Sequence, residues 1–441
     1  MTDIRQATVD LSRRDLTLDL TRVFCVLLVV VIHLLMIGVG VSRDGAVEAS
    51  RPLEAQPWFD HATWIGQVMP VFFVVGGFAG ITSWRSTLRR GGTAAEFIRT
   101  RVLRLAQPAL PVYAFFTLTI AVVTAIGVPA ELIDTVFTGA GSPLWFLAAY
   151  TLCQAFVPVM ARLHLKAPRT TMVALLVGAV AVDTIRYSSG AEIVGYLNFA
   201  FVWLFIQQVG FWYADGWFDR SRTQLVAIAS CAFAALIPLT VVGPYSTDML
   251  TNLNPPTLPL MALGIAQACA LRLLKPVLAK VMETKPARAV VFVAGTRLMT
   301  VYLWHLPVVI ALAGLTLLIP GAAVAPASAE WWLTRPIYFL VTLLAVFGLS
   351  FLVGRFETLR EGRRESDLTT ALVAAGLAFI PSFVVTVWFL SLGTALLGTV
   401  LVGLAVAMLN RPEQQKKTTR TGESSRGLPY TPRDLNPEPT D

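Results

Sequence analysis

The chain has 441 residues, of which 55% are hydrophobic and only 14% are charged, and its mean hydropathy is +0.66. This composition is typical of an integral membrane protein and excludes a soluble multidomain protein. A formal net charge of +8 would suit nucleic-acid binding, but the basic residues follow the spacing of the apolar segments instead.

Apolar segments recur along the chain at intervals that suit repeated membrane crossings. A helix needs roughly 20 apolar residues to cross the hydrocarbon core of a bilayer, and twelve segments approach that length. The pattern predicts an all-α, polytopic transmembrane helical bundle. The ninth segment is longer than one crossing requires, so we expect a tilt or a kink near Pro307. The predicted cores are residues 21–41, 63–84, 108–127, 143–161, 171–187, 195–214, 223–241, 257–274, 290–319, 336–354, 368–389 and 393–409.

Basic residues concentrate in every second connecting segment. If the N-terminus is cytoplasmic, most of the 35 Lys and Arg residues fall in cytoplasmic segments, as the positive-inside rule requires. We therefore expect both termini in the cytoplasm and the protein in the cytoplasmic (plasma) membrane. The positive charge is expected to contact lipid headgroups, not nucleic acid. The outer segments hold only Arg43, Arg51, Arg186 and Arg335.

Shifts in composition divide the chain into four regions. Residues 1–18 are expected to form a cytoplasmic N-terminal segment, and residues 19–360 a membrane domain of about ten core helices. Residues 361–409 are predicted to add a transmembrane hairpin. Residues 410–441 are rich in Thr, Ser, Pro and charge, which predicts a disordered cytoplasmic tail.

The first apolar segment contains an ionisable residue. Arg22 and His33 are eleven residues apart, which is about three helical turns, so both side chains leave the same face. The helical rise separates them by roughly 16 Å. An ionisable group deep in a membrane is costly and usually functional, and Asp19 is placed to pair with Arg22. The alternative is a core histidine bonded to a neighbouring carbonyl and an arginine that reaches the lipid headgroups.

The second cytoplasmic segment carries arginines among apolar residues. Its pattern predicts an amphipathic helix at the membrane surface. Arg101 and Arg104 are three residues apart and share a face of that helix. One interpretation is contact with lipid; the other is a clamp for phosphate groups, which guanidinium groups bind with two hydrogen bonds.

The ninth segment holds a second histidine. His305 follows Tyr302 at a depth comparable with that of His33, which favours a shared polar cavity. The alternative partner for His305 is a carbonyl that Pro307 leaves without its helical hydrogen bond.

Other His, Cys and Trp residues indicate ordinary roles. No Cys-x-x-Cys or Cys/His metal spacing occurs, so no metal site is predicted. His61 and His164 are expected to face solvent. Trp145 falls near an outer boundary, where interfacial tryptophans are common.

Four motifs, in order, resemble those of the acyltransferase-3 family of multi-pass membrane acyltransferases, over about residues 14–360. Many members of that family have Ser-Gly-Phe where this chain has Gly76-Gly77-Phe78, so a hydroxyl role is excluded at that point. The motifs are Asp19 and Arg22 with His33 after ten further residues, the stretch 69–78 (MPVFFVVGGF), the stretch 144–147 (LWFL) and the stretch 302–307 (YLWHLP).

The resemblance implies an enzyme that takes an acyl group from acyl-CoA, most often acetyl-CoA, as a donor substrate. It implies a carbohydrate or other hydroxyl-bearing acceptor of the cell envelope, which includes lipid-linked acceptors. The resemblance also implies an Arg-x-x-Arg element that binds acyl-CoA, which Arg101 and Arg104 match, and it favours a structural or acceptor-binding role for Trp145. The mechanistic hypothesis assigns catalysis to His33 and to Arg22, which Asp19 holds. It gives Tyr302 and His305 a supporting role, the stabilisation of developing charge.

Together these features give a mechanistic hypothesis. The CoA headgroup docks on Arg101 and Arg104, and its pantetheine arm enters along the Arg22–His33 face. His33 then acts as a general base or relays the acyl group. A transporter or flippase for a polar or lipid-linked molecule is the alternative, because intramembrane His and Arg residues also suit carriers. A third hypothesis combines both, with the acyl group crossing the membrane inside the protein.

Overall fold

The computed structural model describes residues 15–41, 47–319, 322–356 and 367–410. These ranges form fifteen α-helices, one two-stranded sheet, and 3₁₀ turns at Glu192–Leu197 and Gly354–Phe356. The helices and strands are α1 Leu16–Met36, β1 Gly38–Val41, β2 Val47–Ser50, α2 Phe59–Gly66, α3 Met69–Arg89, α4 Ala94–Ala125, α5 Ala130–Gly141, α6 Leu144–Lys166, α7 Pro168–Ser189, α8 Asn198–Ala214, α9 Arg222–Val241, α10 Leu258–Glu283, α11 Lys285–Gly295, α12 Leu298–Leu317, α13 Ala329–Val353, α14 Leu368–Trp388 and α15 Leu392–Asn410.

Twelve helical stretches are long and apolar enough to cross a membrane, judged by length and composition. The prediction of an all-α polytopic bundle is therefore confirmed, and the protein is an integral multi-pass membrane protein. The cytoplasmic location of both termini stays a prediction. The tail predicted at 410–441 lies outside the described residues beyond Asn410, as do residues 1–14 of the predicted N-terminal segment.

Polar residues mark where several helices begin. Asp15 accepts a hydrogen bond from the Thr17 amide at α1, and Thr93 accepts one from the Glu96 amide at α4. Such side chains satisfy amides that have no partner inside the helix. These caps fix where the first and third apolar segments become helical.

The first helix lies earlier in the chain than the hydropathy predicted. Helix α1 ends at Met36 because the chain turns into strand β1, which pairs antiparallel with β2. Hydropathy predicted one span over residues 21–41, which runs five residues past the end of the helix. His33 lies in the last turn of α1.

Two other boundaries differ from the prediction. The predicted surface helix and the third span are one continuous helix, α4, of 32 residues that includes Pro108 and Pro111. The ninth segment is interrupted between α11 and α12 at Thr296 and Arg297. Pro307, near which a tilt or a kink was expected, lies inside α12, ten residues after this interruption.

Close helix contacts hold the bundle together. A methyl group added to Gly77 of α3 would overlap the Gln207 carbonyl of α8, and one added to Gly210 of α8 would overlap the Val74 carbonyl of α3. The small residues therefore let these two backbones approach closely. Helices α14 and α15 pack against α4, where the Tyr113 and Ser382 hydroxyls are 2.8 Å apart.

Ion pairs between helices and loops mark one end of the bundle. Three ion pairs lie at one end, which we call the basic end: Lys275 with Asp15 at 2.7 Å, Arg85 with Asp215 at 2.6 Å and Arg272 with Asp219 at 2.8 Å. Helix α1 begins there and leads to the β1–β2 hairpin, so we call the opposite end the hairpin end.

Candidate active site

The two predicted intramembrane histidines meet between α1 and α12. His33 Nδ1 lies 2.9 Å from His305 Nε2, and the ring centroids are 5.0 Å apart in a stacked arrangement. His305 is fully buried, whereas His33 is partly exposed. The shared cavity expected from their similar depth is thus a direct contact.

Hydrogen bonds fix which nitrogen of each histidine carries the proton. The Tyr302 carbonyl, 2.6 Å from His305 Nδ1, can only accept, so Nδ1 donates to it. In a neutral imidazole the other nitrogen is then an acceptor, so His305 Nε2 accepts from His33 Nδ1. His33 Nε2 keeps its lone pair and has no hydrogen-bond partner within the described part of the chain. Such a nitrogen, held by a second group that is itself oriented by a third, is arranged as a general base.

Tyr302 positions its neighbours through both its backbone carbonyl and its side-chain hydroxyl. Its carbonyl holds His305, while its buried hydroxyl donates to the Pro143 carbonyl at 3.0 Å. Pro307 leaves the carbonyl four residues earlier, that of Leu303, without its helical hydrogen bond. His305 bonds to the Tyr302 carbonyl instead, so the alternative partner predicted for His305 is wrong. Tyr302 therefore links α12 to the start of α6.

Trp145 lies in the first turn of α6 but not in a lipid-facing belt. Its side chain is only 7% exposed, and its ring stacks on Trp203 at a centroid distance of 5.4 Å. The ring packs against α8, so Trp145 does not form part of a lipid-facing belt of tryptophans. Trp145 supports the packing around the Tyr302 anchor.

The first helix carries Arg22 at the basic end, and its partner is not the predicted one. The guanidinium lies 5.8 Å from the centre of the Phe72 ring. No ion pair joins Arg22 to Asp19 among the described residues, because the guanidinium points across to α3 and not along α1. Buried Arg22 Nε has no hydrogen-bond partner in the described structure.

Three arginines converge near this point. Arg101 interacts electrostatically with Arg22, with Arg104 and with Tyr150, so α1 and α4 place their cations beside one another. Within the described ranges, none of the three arginines forms an ion pair with a carboxylate. A cluster of uncompensated guanidinium groups is suited to binding an anion such as phosphate.

A row of aromatic rings connects the arginines with the histidines. Phe72 lies beneath Arg22 and contacts Phe146 at 5.2 Å. Phe146 contacts Tyr302 at 4.6 Å, and Tyr302 contacts His305 at 5.8 Å. We call these three rings, Phe72, Phe146 and Tyr302, the aromatic wall. It runs beside the Arg22–His33 face of α1 and joins the two halves of the candidate site.

Tyr150 belongs to this site and was not singled out from the sequence. A Cβ at Gly76 would lie 2.8 Å from its ring and 3.2 Å from its hydroxyl oxygen. The tyrosine therefore fills the space that a serine side chain at position 76 would enter. The clue available in the sequence was the missing hydroxyl at Gly76, but only the fold shows which residue replaces it.

His164 also departs from its prediction. It is buried, with Nδ1 2.8 Å from Gln208 Oε1 and Nε2 3.0 Å from Asp215 Oδ2. Both neighbours are acceptors, because the Gln208 amide nitrogen is engaged by the Met160 carbonyl. His164 is thus a packed core residue at the basic end and not a solvent-facing one.

An apolar cavity lies beside α12, next to the segment that carries His305. It has a volume of about 280 Å³ and lies between α4, α5 and α12, with Pro307, Ile310 and Ala311 on its α12 side. Its lining suits hydrocarbon and offers little to a polar ligand.

Comparison with known proteins identifies the class of this site. The acyltransferase-3 family model, described as an acyltransferase domain, matches residues 15–355. The chain belongs to the acyltransferase-3 family. Comparisons with curated proteins and with solved structures gave no match.

Membership makes the protein an acyltransferase, an enzyme that transfers acyl groups other than aminoacyl groups between a donor and an acceptor at the membrane. The histidine pair, the arginines and the aromatic wall of this acyltransferase all lie within the matched region. Helices α14 and α15 lie beyond it. The family assignment favours an enzyme over the carrier alternative.

Proposed function

We propose that this acyltransferase moves an acyl group, most simply acetyl, from acyl-CoA to a hydroxyl of a carbohydrate or other cell-envelope acceptor. The observation that supports this function best is the His33–His305 pair, because it leaves one imidazole nitrogen with a lone pair and no partner in the described structure. Arg22 and His33 are eleven residues apart on α1, so the helix connects an anion-binding cluster with a base.

The donor would bind from the basic end. Its phosphates fit Arg101, Arg104 and Arg22, and its pantetheine arm would follow the aromatic wall toward His33. That arm contains amides, which need one donor and one acceptor each. Buried Arg22 Nε and Gln107 Oε1 have no partners in the described structure, and they are a donor and an acceptor respectively.

The proposed chemistry is a direct transfer at His33. His33 Nε2 takes the proton of the acceptor hydroxyl while the oxygen of that hydroxyl attacks the thioester carbonyl. A carbon–oxygen bond forms, the carbon–sulfur bond breaks, and the departing thiolate receives the proton from His33. His305 holds His33 Nδ1 throughout, as an orienting group does in other base-activated sites. Because His33 is near the hairpin end of α1, the acceptor would approach from that end.

A His33→Ala variant in lipid nanodiscs tests the function. With labelled acetyl-CoA and membrane acceptors, we expect transfer to fall by about 10²–10⁴-fold, the range of a lost general base. His61→Ala removes an exposed histidine outside the site and is the matched control. Transfer at the wild-type rate by folded His33→Ala protein, checked by its thermal unfolding, would eliminate the proposed base.

A further inference from the structure

A small polar pocket lies at the hairpin end, beyond the histidine pair. Its volume is about 50 Å³, room for roughly three to five waters or one small anionic group. It is built from α12, α13, β1 and the segment between the two helices. Its lining includes Ile37, Val39, Thr316, Trp331, Arg335 and Tyr338.

Arg335 is the charged group of this pocket. Its guanidinium carbon lies 4.2 Å from the centre of the Trp331 ring and 4.0 Å from that of Tyr338. These cation–π contacts hold the guanidinium in a fixed plane. A rigid, preorganised cation loses little entropy when it binds a ligand.

Arg335 keeps donors available for a ligand. Nε donates to the Trp331 carbonyl at 3.1 Å, Nη2 donates to Thr334 Oγ1 at 3.0 Å, and the side chain also forms a hydrogen bond with Tyr338. A guanidinium has five N–H groups, so two of them remain after these three contacts within the residues that the structure describes. No carboxylate in those residues neutralises the charge.

Helical geometry places the pocket in line with the base. Thr316 is eleven residues after His305, about three turns, so it lies on the same face of α12 roughly 16 Å farther along. Ile37 follows His33 by four residues, about 6 Å of chain rise at the end of α1. The pocket therefore continues the His33–His305 face toward the hairpin end.

Strand β1 packs closely against the segment that follows α12, next to this pocket. A Cβ at Gly38 would lie 2.9 Å from Pro326, and a Cβ at Gly40 would lie 2.9 Å from the same proline. The close fit of these glycines holds β1 against α12, and Ile37 and Val39 line the pocket together with residues of α13.

We propose that Arg335 binds a carboxylate or phosphate group of a saccharide acceptor while the acceptor hydroxyl lies at His33 Nε2. This inference rests on the proposed function and adds the chemical class of the acceptor: it is anionic, with its charge about one to three helical turns from the acylated hydroxyl. Donor and acceptor would then be held by separate arginines at opposite ends of the site.

Arginine labelling by phenylglyoxal, quantified by mass spectrometry, tests the pocket without measuring acyl transfer. The protein is placed in phosphatidylcholine nanodiscs with glucuronate, inorganic phosphate or neutral glucose. We expect either anion to slow labelling of Arg335 by about tenfold, and glucose to leave it unchanged. Arg51, whose side chain is 71% exposed and pairs with Glu54, is the internal control and should label equally in every sample.

Calorimetry of glucuronate binding gives a second measurement. We expect Arg335→Gln to weaken binding by about tenfold, Arg335→Lys to recover part of it, and Arg51→Gln to bind like the wild type. Equal labelling of Arg335 with and without both anions, or unchanged binding by Arg335→Gln, would overturn the proposal.

The lipid composition separates an acceptor site from a headgroup site. If phosphatidylglycerol in the nanodisc protects Arg335 and the soluble anions do not, the pocket binds phospholipid and the acceptor proposal is wrong. Neither measurement depends on acyl transfer, so a negative result here is distinct from a failure of the His33→Ala test.

Discussion

At the scale of single residues, the site depends on a short chain of hydrogen bonds that begins at a backbone carbonyl. Tyr302 supplies that carbonyl, His305 bridges, and His33 receives its orientation from His305. A backbone acceptor cannot be ionised or mutated, so it imposes one tautomer on His305. The proton arrangement at His33 is therefore a consequence of how α12 folds.

Removal of the bridging imidazole should misorient His33 without removing it. We expect His305→Ala to lower acyl transfer by about 100-fold and to leave a cavity of imidazole size. Added imidazole should then restore part of the rate, and phenylalanine at the same position should block that rescue. A rate that is low in His305→Ala but insensitive to imidazole would indicate a packing role instead.

The shared face of Arg22 and His33 on the first helix was predictable from the sequence, whereas most of the residues that contact them were not. Eleven-residue spacing placed Arg22 and His33 on one face, and similar depth linked His33 with His305. Tyr150 and the orientation of Arg22 toward Phe72 were missed, because both depend on contacts between helices distant in sequence. A single sequence carries no direct signal for such contacts.

At the scale of helices, α3 and α8 cross with a close approach of their backbones. Gly77→Ala would force a methyl group into the Gln207 carbonyl, so we expect it to destabilise the protein by about 1–3 kcal/mol, as overpacking does. Thermal unfolding in detergent measures this. Gly348→Ala adds the same methyl group on α13 where nothing lies within 4 Å, and it should be neutral or slightly stabilising.

The contact between α4 and α14 offers a second test. Tyr113 and Ser382 form a buried hydrogen bond, and a buried hydroxyl left without its partner costs about 1–3 kcal/mol. Tyr113→Phe and Ser382→Ala should each destabilise, and the double variant should lose less than the sum of the two. Strict additivity in a thermal unfolding cycle would show that the two helices are not coupled here.

Helix existence was predictable, and helix boundaries were not. Hydropathy located twelve spans but ran past Met36 into β1, because the strand residues Val39 and Val41 are as apolar as the helix. It treated the ninth segment as one span with a tilt or a kink near Pro307, whereas the segment is interrupted at Thr296 and Arg297 and Pro307 lies inside α12. In α4, Pro108 and Pro111 likewise lie inside one helix. Tertiary packing decides these cases.

At the scale of the whole molecule, ion pairs tie helices together at the basic end. Burial tends to raise the pKa of Asp215, but hydrogen bonds from Arg85 and His164 outweigh it and leave the pKa below its ordinary value of 3.8. The pKa of Asp15 is also lowered. Burial acts to raise it, but the hydrogen bonds from Lys275 and Thr17 outweigh the effect of burial.

Carboxyl groups with a lowered pKa give a defined pH dependence. Their contribution to stability is complete above the ordinary pKa and is lost as pH falls through the lowered value. We expect the unfolding temperature to decrease below about pH 4, and Asp215→Asn to show a smaller decrease over the same range. An identical acid profile for the variant would assign the loss to other groups.

The architecture of the membrane bundle followed from composition, because only helices with saturated backbone hydrogen bonds and enough apolar length satisfy a bilayer. The sidedness of the bundle rests on the distribution of Lys and Arg and stays a prediction. The pocket around Arg335 could not be predicted from the sequence, because α12, α13 and β1 contribute to it from separate parts of the chain.

Helix α4 is one continuous helix of 32 residues. It connects two features of the molecule. Arg101 and Arg104 lie on it at the proposed donor site, while Arg99 donates to the Leu409 carbonyl at the end of α15. Helices α14 and α15, which lie beyond the family match, therefore pack against the same helix that carries the proposed phosphate-binding arginines. A displacement of these two helices would act on α4, and so on the proposed donor site.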